Sequence, residues 1–114
     1  FKFYHHDIMI KDDTIALNLY RITQEAINNI VKHSQATKVQ ISLTKENGQI
    51  VYTIDDNGIG FNIDDIIRPE KGIGLQSMKS RAIGLGANFD IFSQPGKGTL
   101  IVIEFPASSI KNNS

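Results

Sequence analysis

The sequence predicts an α+β chain: a two-layer α/β sandwich in which a mixed, mostly antiparallel sheet carries its helices on one face. Three observations predict it. A long segment after residue 13 repeats its apolar residues at helical spacing. Two later stretches alternate apolar and polar residues in pairs joined by tight turns. The resulting order is strand, helix, hairpin, loop, helix, hairpin. A doubly wound parallel sheet would need strict β-α-β alternation, which this order lacks.

Phe1, Phe3, Ile8 and Ile10 point to an opening strand or two short extended pieces. Asp12 and Asp13 can cap the helix that follows, expected as one helix from Thr14 to about His33. Ile15, Leu19, Ile22, Ala26 and Ile30 recur at spacings of four and three, which makes one buried stripe. Lys32 and His33 fall in the last turn, where the helix dipole favours positive charge. Residues 38–44 alternate, with Val39, Ile41 and Leu43 on one face and Gln40 and Ser42 on the other. Asn47-Gly48 accepts the positive φ angles of a type I′ turn, and Ile50 to Ile54 returns as the partner strand. Residues 62–71 form a polar, proline-containing connection, either an ordered loop or a lid. Leu75 to Leu85 predicts a second helix with Leu75, Met78, Ala82 and Leu85 inward, stopped by Gly84 and Gly86. Residues 88–93 and 99–105 make the second hairpin around Gln94-Pro95-Gly96-Lys97-Gly98.

The chain has 114 residues and 40% hydrophobic content, enough for one core and not two. Residues 1–107 are expected to be that single domain, and 108–114 a polar tail. Basic and acidic residues balance at 12 each, so no net field steers the chain to nucleic acid or an anionic membrane. With no cysteine, disulfides and thiolate metal sites are excluded. No apolar run approaches the roughly 18 residues a membrane helix needs, and no signal peptide is visible. The chain begins at Phe1 in strand-like sequence and is read as a domain cut from a longer protein.

The chemistry concentrates in three places. Glu25, Asn29 and Lys32 stand four and three apart, so an α-helix sets a carboxylate, an amide oxygen and an ammonium in one row. One amide oxygen plus phosphate oxygens suffices for magnesium, which keeps several waters, and a lysine neutralises phosphate as a point charge. The same stripe is also the ordinary pattern of a solvated helix face. Next, Asp55-Asp56-Asn57-Gly58-Ile59-Gly60-Phe61 follows the apolar run Ile50–Ile54. A carboxylate at a strand end beside bare backbone can accept a hydrogen bond from the amino group of a flat ring. Aspartate followed by glycine is equally turn chemistry. Third, Gly72-Ile73-Gly74 opens the second helix, where free N–H groups favour phosphate, or it is a plain hinge. Together the latter two signals point to a purine nucleotide.

Order and spacing of these motifs carry more than any one of them. Residues 19–106 closely resemble the catalytic ATP-binding domain of two-component sensor histidine kinases, within the wider GHKL family, with its Bergerat fold, that includes gyrase, HSP90 chaperones and MutL. Residues 19–33, Leu-Tyr-Arg-Ile-Thr-Gln-Glu-Ala-Ile-Asn-Asn-Ile-Val-Lys-His, look like the N box of the subclass that serves NarL/LuxR-type response regulators. Residues 74–81 follow that subclass's Gly-Leu-x-x-Met-x-x-Arg pattern. The resemblance implies that Asp56 accepts the adenine amino hydrogen while Gly58 and Gly60 let the base approach. It implies that Asn29 ligates Mg2+ and that Glu25, the catalytic candidate, helps position the metal and its waters. Lys32 and His33 would approach phosphates or ribose. Gly72, Gly74 and the following Leu75 match the second glycine box near the phosphates. Thr99 fits the threonine that supports the adenine pocket through water. The connection 62–71 is short and lacks a clear phenylalanine box, which leaves its phosphate contacts unspecified.

The implied activity is donation of the γ-phosphoryl of Mg·ATP to a histidine on a separate dimerisation helix domain, for relay to a response regulator. That acceptor helix is not in this sequence, and His5 and His6 sit in strand-like sequence as ordinary histidines. Alone, the chain is expected to be a monomer that binds Mg·ATP and hydrolyses it poorly. The full protein is expected to be a homodimer, anchored in the membrane with this domain in the cytoplasm, and without nucleic acid as a partner. Rival readings are an anti-sigma-factor serine kinase of the same fold, a gyrase- or chaperone-type ATPase with a longer lid, and a degenerate module that binds no nucleotide.

Overall fold

In the computed structural model the described residues are 2–5, 13–60 and 74–107. Strand β1 (Lys2–His5), helix α1 (Asp13–Asn29), strands β2 (Val39–Glu46) and β3 (Gln49–Asp56), helix α2 (Leu75–Gly84) and strands β4 (Asn88–Ser93) and β5 (Thr99–Pro106) follow in that order. The strands form one sheet, ordered β1-β2-β3-β5-β4. β1 runs parallel to β2, and the other three pairings are antiparallel. The expected mixed, mostly antiparallel sheet with helices on one face is therefore the observed architecture.

Alternation builds the inner layer. Ile41 and Leu43 from β2, Ile50, Tyr52 and Ile54 from β3, and Ile101, Ile103 and Phe105 from β5 are all buried. Against them α1 lays Ile15, Leu19, Ile22 and Ala26, and α2 lays Met78 and Ala82. Each large side chain sequestered this way stabilises the fold by about 1.5–3 kcal/mol. The β2–β3 hairpin closes with Glu46 opposite Gln49, and Asn47 and Gly48 take φ values of 51° and 77°. Positive φ at both central residues is the type I′ geometry that this dipeptide tolerates. Helix α2 ends in a Schellman motif: the Ala87 N–H reaches the Ala82 carbonyl at 3.0 Å and the Gly86 N–H the Ile83 carbonyl at 2.9 Å.

Helix α1 departs from the expected single α-helix over 14–33. Its α-helical part ends at Asn29, and Ile30–Ser34 form a π-helical turn that closes on Gln35 in the left-handed region at φ 54°. A π turn takes in about one residue more than an α turn. The expected row of Glu25, Asn29 and Lys32 therefore breaks after Asn29, because three residues in a wider turn advance through a smaller angle. Of the opening extended segment, β1 covers Lys2–His5. The expectations for Phe1, His6, Ile8, Ile10 and Asp12, for the connection 62–71 and for the tail 108–114 lie outside the described residues.

Among the described residues a polar link joins α1 to β3 across the two layers. Thr23 Oγ1 lies 2.7 Å from the Leu19 carbonyl and 2.6 Å from the hydroxyl of Tyr52. The threonine has one proton, which the carbonyl takes, so the tyrosine hydroxyl donates to the threonine oxygen. Burial pushes the Tyr52 phenol above its ordinary value. Thr23→Val strands that hydroxyl and should lower unfolding stability by about 1–3 kcal/mol. Urea titration checks this: Thr23→Val combined with Tyr52→Phe should lose clearly less than the two single losses added together.

Candidate functional site

Three apolar rows end in a polar residue at the same end of the molecule. On β3 the inward series Ile50, Tyr52, Ile54 is completed by Asp56; on β5 the series Phe105, Ile103, Ile101 is completed by Thr99; on α1 the stripe is completed by Asn29. Among the described residues, Asn29, Asp56 and Thr99 are the buried polar side chains, each only 7% exposed. Asp56 and Thr99 are register partners across β3 and β5. All three line one narrow cleft between the helices and the sheet, whose other walls are Ala26, Ile30, Ile54, Met78, Ile91 and Ile101. A polar group costs free energy to bury, so a cluster at positions where the pattern calls for apolar residues marks a site.

The strand end bearing Asp56 is held by backbone. Asp56 Oδ1 accepts the Gly58 N–H at 2.8 Å, which fixes one carboxylate oxygen in an Asx turn. Gly60 has φ 70°, and a Cβ there would overlap the Gln94 carbonyl. Gly98 has φ 74°, and a Cβ there would overlap the Asp56 carbonyl. The Gly96 N–H donates to the Ile59 carbonyl. The 94–98 turn is thus pressed against the 56–60 loop with no room for side chains between them. Gly60 was expected to make room for a base, and its own neighbours already require glycine there. Beneath the turn, the Ser93 hydroxyl contacts the Gly98 carbonyl at 3.1 Å and the Thr99 hydroxyl at 2.8 Å.

The other expected site residues fall into two groups. Glu25, half-buried, packs against Gly74, which caps the start of α2 with φ 72°; a Cβ at Gly74 would overlap the Glu25 carboxylate. Leu75 is the first residue of α2 and is half-buried. Lys32 is exposed and His33 half-buried in the π turn, and neither lines the cleft. Gly72 lies outside the described residues. Sequence reasoning missed Asn57. Its Oδ1 accepts the Thr37 and Lys38 N–H groups at 3.0 and 2.9 Å, and its Nδ2 donates to Thr37 Oγ1 at 2.9 Å. These partners are 20 and 19 residues away, so no local pattern announces them. The apolar walls Ile91 and Ile101 carry no sequence signal beyond strand alternation.

The lining has the chemistry that a flat, weakly polar ring needs. Apolar side chains supply the walls, and a buried carboxylate faces a hydroxyl across one register position. No group of three or more His, Cys, Asp or Glu side chains able to hold a metal occurs among the described residues. A magnesium ion would therefore fit at Asn29 only if its remaining oxygens came from phosphate and water.

Residues 14–109 match the family model described as histidine kinase-, DNA gyrase B- and HSP90-like ATPase. Sensor protein VraS of Staphylococcus epidermidis is 42% identical over 97 residues, covering 85% of this chain. The chain spans 27% of that relative's length. The histidine kinase domain of the blue-light activated histidine kinase of Erythrobacter litoralis superposes with a TM-score of 0.78 at 23% identity, covering 96% of this chain and 55% of that one. The ATP binding domain of PrrB from Mycobacterium tuberculosis gives a TM-score of 0.65 at 29% identity, covering 79% of this chain and 67% of that one.

On the sheet face away from the cleft, partial burial and then the adjacent Asp56 charge push the Asp55 carboxyl above its ordinary value. The folded state holds that proton more tightly than the unfolded chain. Stability should therefore fall as pH rises from the ordinary carboxylate range through the raised Asp55 value. Asp55→Asn should raise the melting temperature at neutral pH. The gain should vanish below the ordinary carboxylate pKa, as thermal melts across pH will check.

Proposed function

The chain belongs to the histidine kinase-, DNA gyrase B- and HSP90-like ATPase family, and from that premise we propose that it is the ATP-binding catalytic domain of a bacterial sensor histidine kinase. The observation that carries this is the convergence of Asn29, Asp56 and Thr99, the buried polar side chains of the described structure, on one apolar-walled cleft. Asp56, with one oxygen set by the Gly58 N–H, presents its carboxylate to the exocyclic amino group of adenine. Met78, Ile91 and Ile101 enclose the ring, and Thr99 supports the pocket floor beside Asp56.

The triphosphate extends from this pocket toward the end of α1. Asn29 would hold Mg2+ through its amide oxygen, and the ion would supply positive charge that offsets the phosphates. Lys32 and His33 lie in the turn beyond Asn29 and meet phosphate or ribose at the cleft mouth. Gly74 and Leu75, at the start of α2, border the phosphates; for Gly72 that role rests on the sequence motif alone. Glu25, packed on Gly74, ties the helix bearing Asn29 to that start and would help position the ion and its waters. The acceptor is an imidazole on a separate helical domain. Its nitrogen attacks the γ-phosphorus, the bond to the bridging β–γ oxygen breaks, and ADP departs. Positioning and charge neutralisation supply most of the catalysis in such transfers.

The finer reading rests on wording in the sequence. The 19–33 segment and the Gly-Leu-x-x-Met-x-x-Arg run at 74–81 favour a full-length homodimer that passes its phosphoryl group to a NarL/LuxR-type response regulator. In that protein this domain works in the cytoplasm and the anchor lies elsewhere in the chain. Among the described residues no helix is long and apolar enough to cross a membrane.

Two variants test the assignment. Asp56→Ala leaves the adenine amino group unpaired in the cleft and should weaken ATP binding by at least about tenfold; unchanged affinity by calorimetry would contradict the adenine role. Asn29→Asp should keep adenine binding while damaging phosphotransfer in the full-length kinase. Full transfer in that variant, followed with labelled ATP, would remove Asn29 from the metal site.

A further inference from the structure

The β2–β3 ladder ends at the pair Val39 and Asp56. The chain continues past both: past Asp56 into the glycine loop, and back from Val39 to the π turn that carries Lys32 and His33. Asn57 bridges these two continuations. Its backbone N–H donates to the Lys38 carbonyl at 3.2 Å, adding one rung to the ladder. Its side chain then reaches further, with Oδ1 accepting both the Thr37 and Lys38 amides and Nδ2 donating to the Thr37 hydroxyl. Three side-chain hydrogen bonds from one amide satisfy an Oδ1 with two lone pairs and half of the NH2 donors. Gln35, two residues before Thr37, holds the left-handed conformation that ends the helix, so only residue 36 separates the clamped segment from the end of the π turn.

We propose that Asn57 is a positioning residue that fixes the separation between the adenine-facing carboxylate of Asp56 and the helix end bearing Asn29, Lys32 and His33. The proposal rests on the nucleotide reading of the cleft and deepens it. Asp56 precedes Asn57 directly, while the phosphate-side residues precede its partners by a few positions. A ligand touching only the Asp56 end does not depend on that separation. A ligand spanning both ends binds best when the separation is held before it arrives, because the ordering has then been done by the fold. The clamp touches neither end of the ligand and acts through the backbone of Asp56 and of residues 37–38.

The test is calorimetric titration of the 114-residue chain with two probes, adenosine and Mg·ATP, in wild type, Asn57→Ala and Thr37→Val. Asn57→Ala removes all three side-chain bonds. It should weaken Mg·ATP by about tenfold, the equivalent of one or two net hydrogen bonds. Adenosine affinity should stay within about twofold, since the Asp56 pocket itself is intact. Thr37→Val removes one bond and should weaken Mg·ATP by about two- to threefold; it carries the test if Asn57→Ala melts below the assay temperature. Equal weakening of both probes would show a merely structural residue and overturn the proposal, as would unchanged Mg·ATP affinity in both variants. Failure of the wild-type chain to bind Mg·ATP would instead overturn the nucleotide reading on which the clamp depends.

Discussion

Everything in this fold depends on a change of polarity at one end of its core. The inner layer is built from apolar rows on α1, β3 and β5, and each row ends in a residue that ought not to be buried: Asn29, Asp56 and Thr99. Had those positions been apolar, the two layers would close over one another along their whole length. Because they are polar, the packing that holds the sheet to the helices stops there, and a cleft remains. The same alternation therefore produces both the stability of the domain and the place where stability is given up for binding.

A polar cluster alone would be soft, and the backbone around it supplies rigidity. Two glycines with positive φ, Gly60 and Gly98, let the 94–98 turn lie directly on the loop that follows Asp56. On the other flank Asn57 stitches the strand end to residues 37 and 38. The acidic side chain thus sits between two close backbone approaches, each too tight or too fully bonded to yield to side-chain rearrangement. Across the cleft, the contact of Glu25 with Gly74 joins the two helices where α2 begins. A site whose walls come from five elements is steadied where close backbone approaches and side chain-to-backbone contacts tie those elements together.

Much of this was legible in the sequence, and the parts that were not share a cause. The hairpins could be read because their signals are local: Asn47-Gly48 names its own turn, and period-two alternation names the faces of β3 and β5. The stripe Ile15, Leu19, Ile22, Ala26 is likewise a property of adjacent turns. The π turn at Ile30–Ser34 was not legible, since every spacing argument presumes 3.6 residues per turn and only the surrounding fold decides where a helix widens. The contact between Glu25 and Gly74 and the bonds of Asn57 join residues far apart in the chain, so they depend on topology that no window contains. Gly60 shows the converse difficulty: a motif glycine was visible, and the structure supplies a packing reason for it that the motif did not contain.

The strand order has a consequence for how the domain is made. Of the described strands β5 comes last in the chain, yet it is not at an edge; it lies between β3 and β4 and contributes Thr99 to the cleft. Until it emerges, β3 exposes an unpaired margin and Asp56 lacks Thr99 as its partner on that side. A nascent chain halted anywhere before residue 99 is therefore a sheet with an open seam, the kind of species that self-associates or engages chaperones. Competence for ligand is acquired only when β5 joins, and truncations that remove β5 should be far less forgiving than the position of Asp56 on β3 would imply.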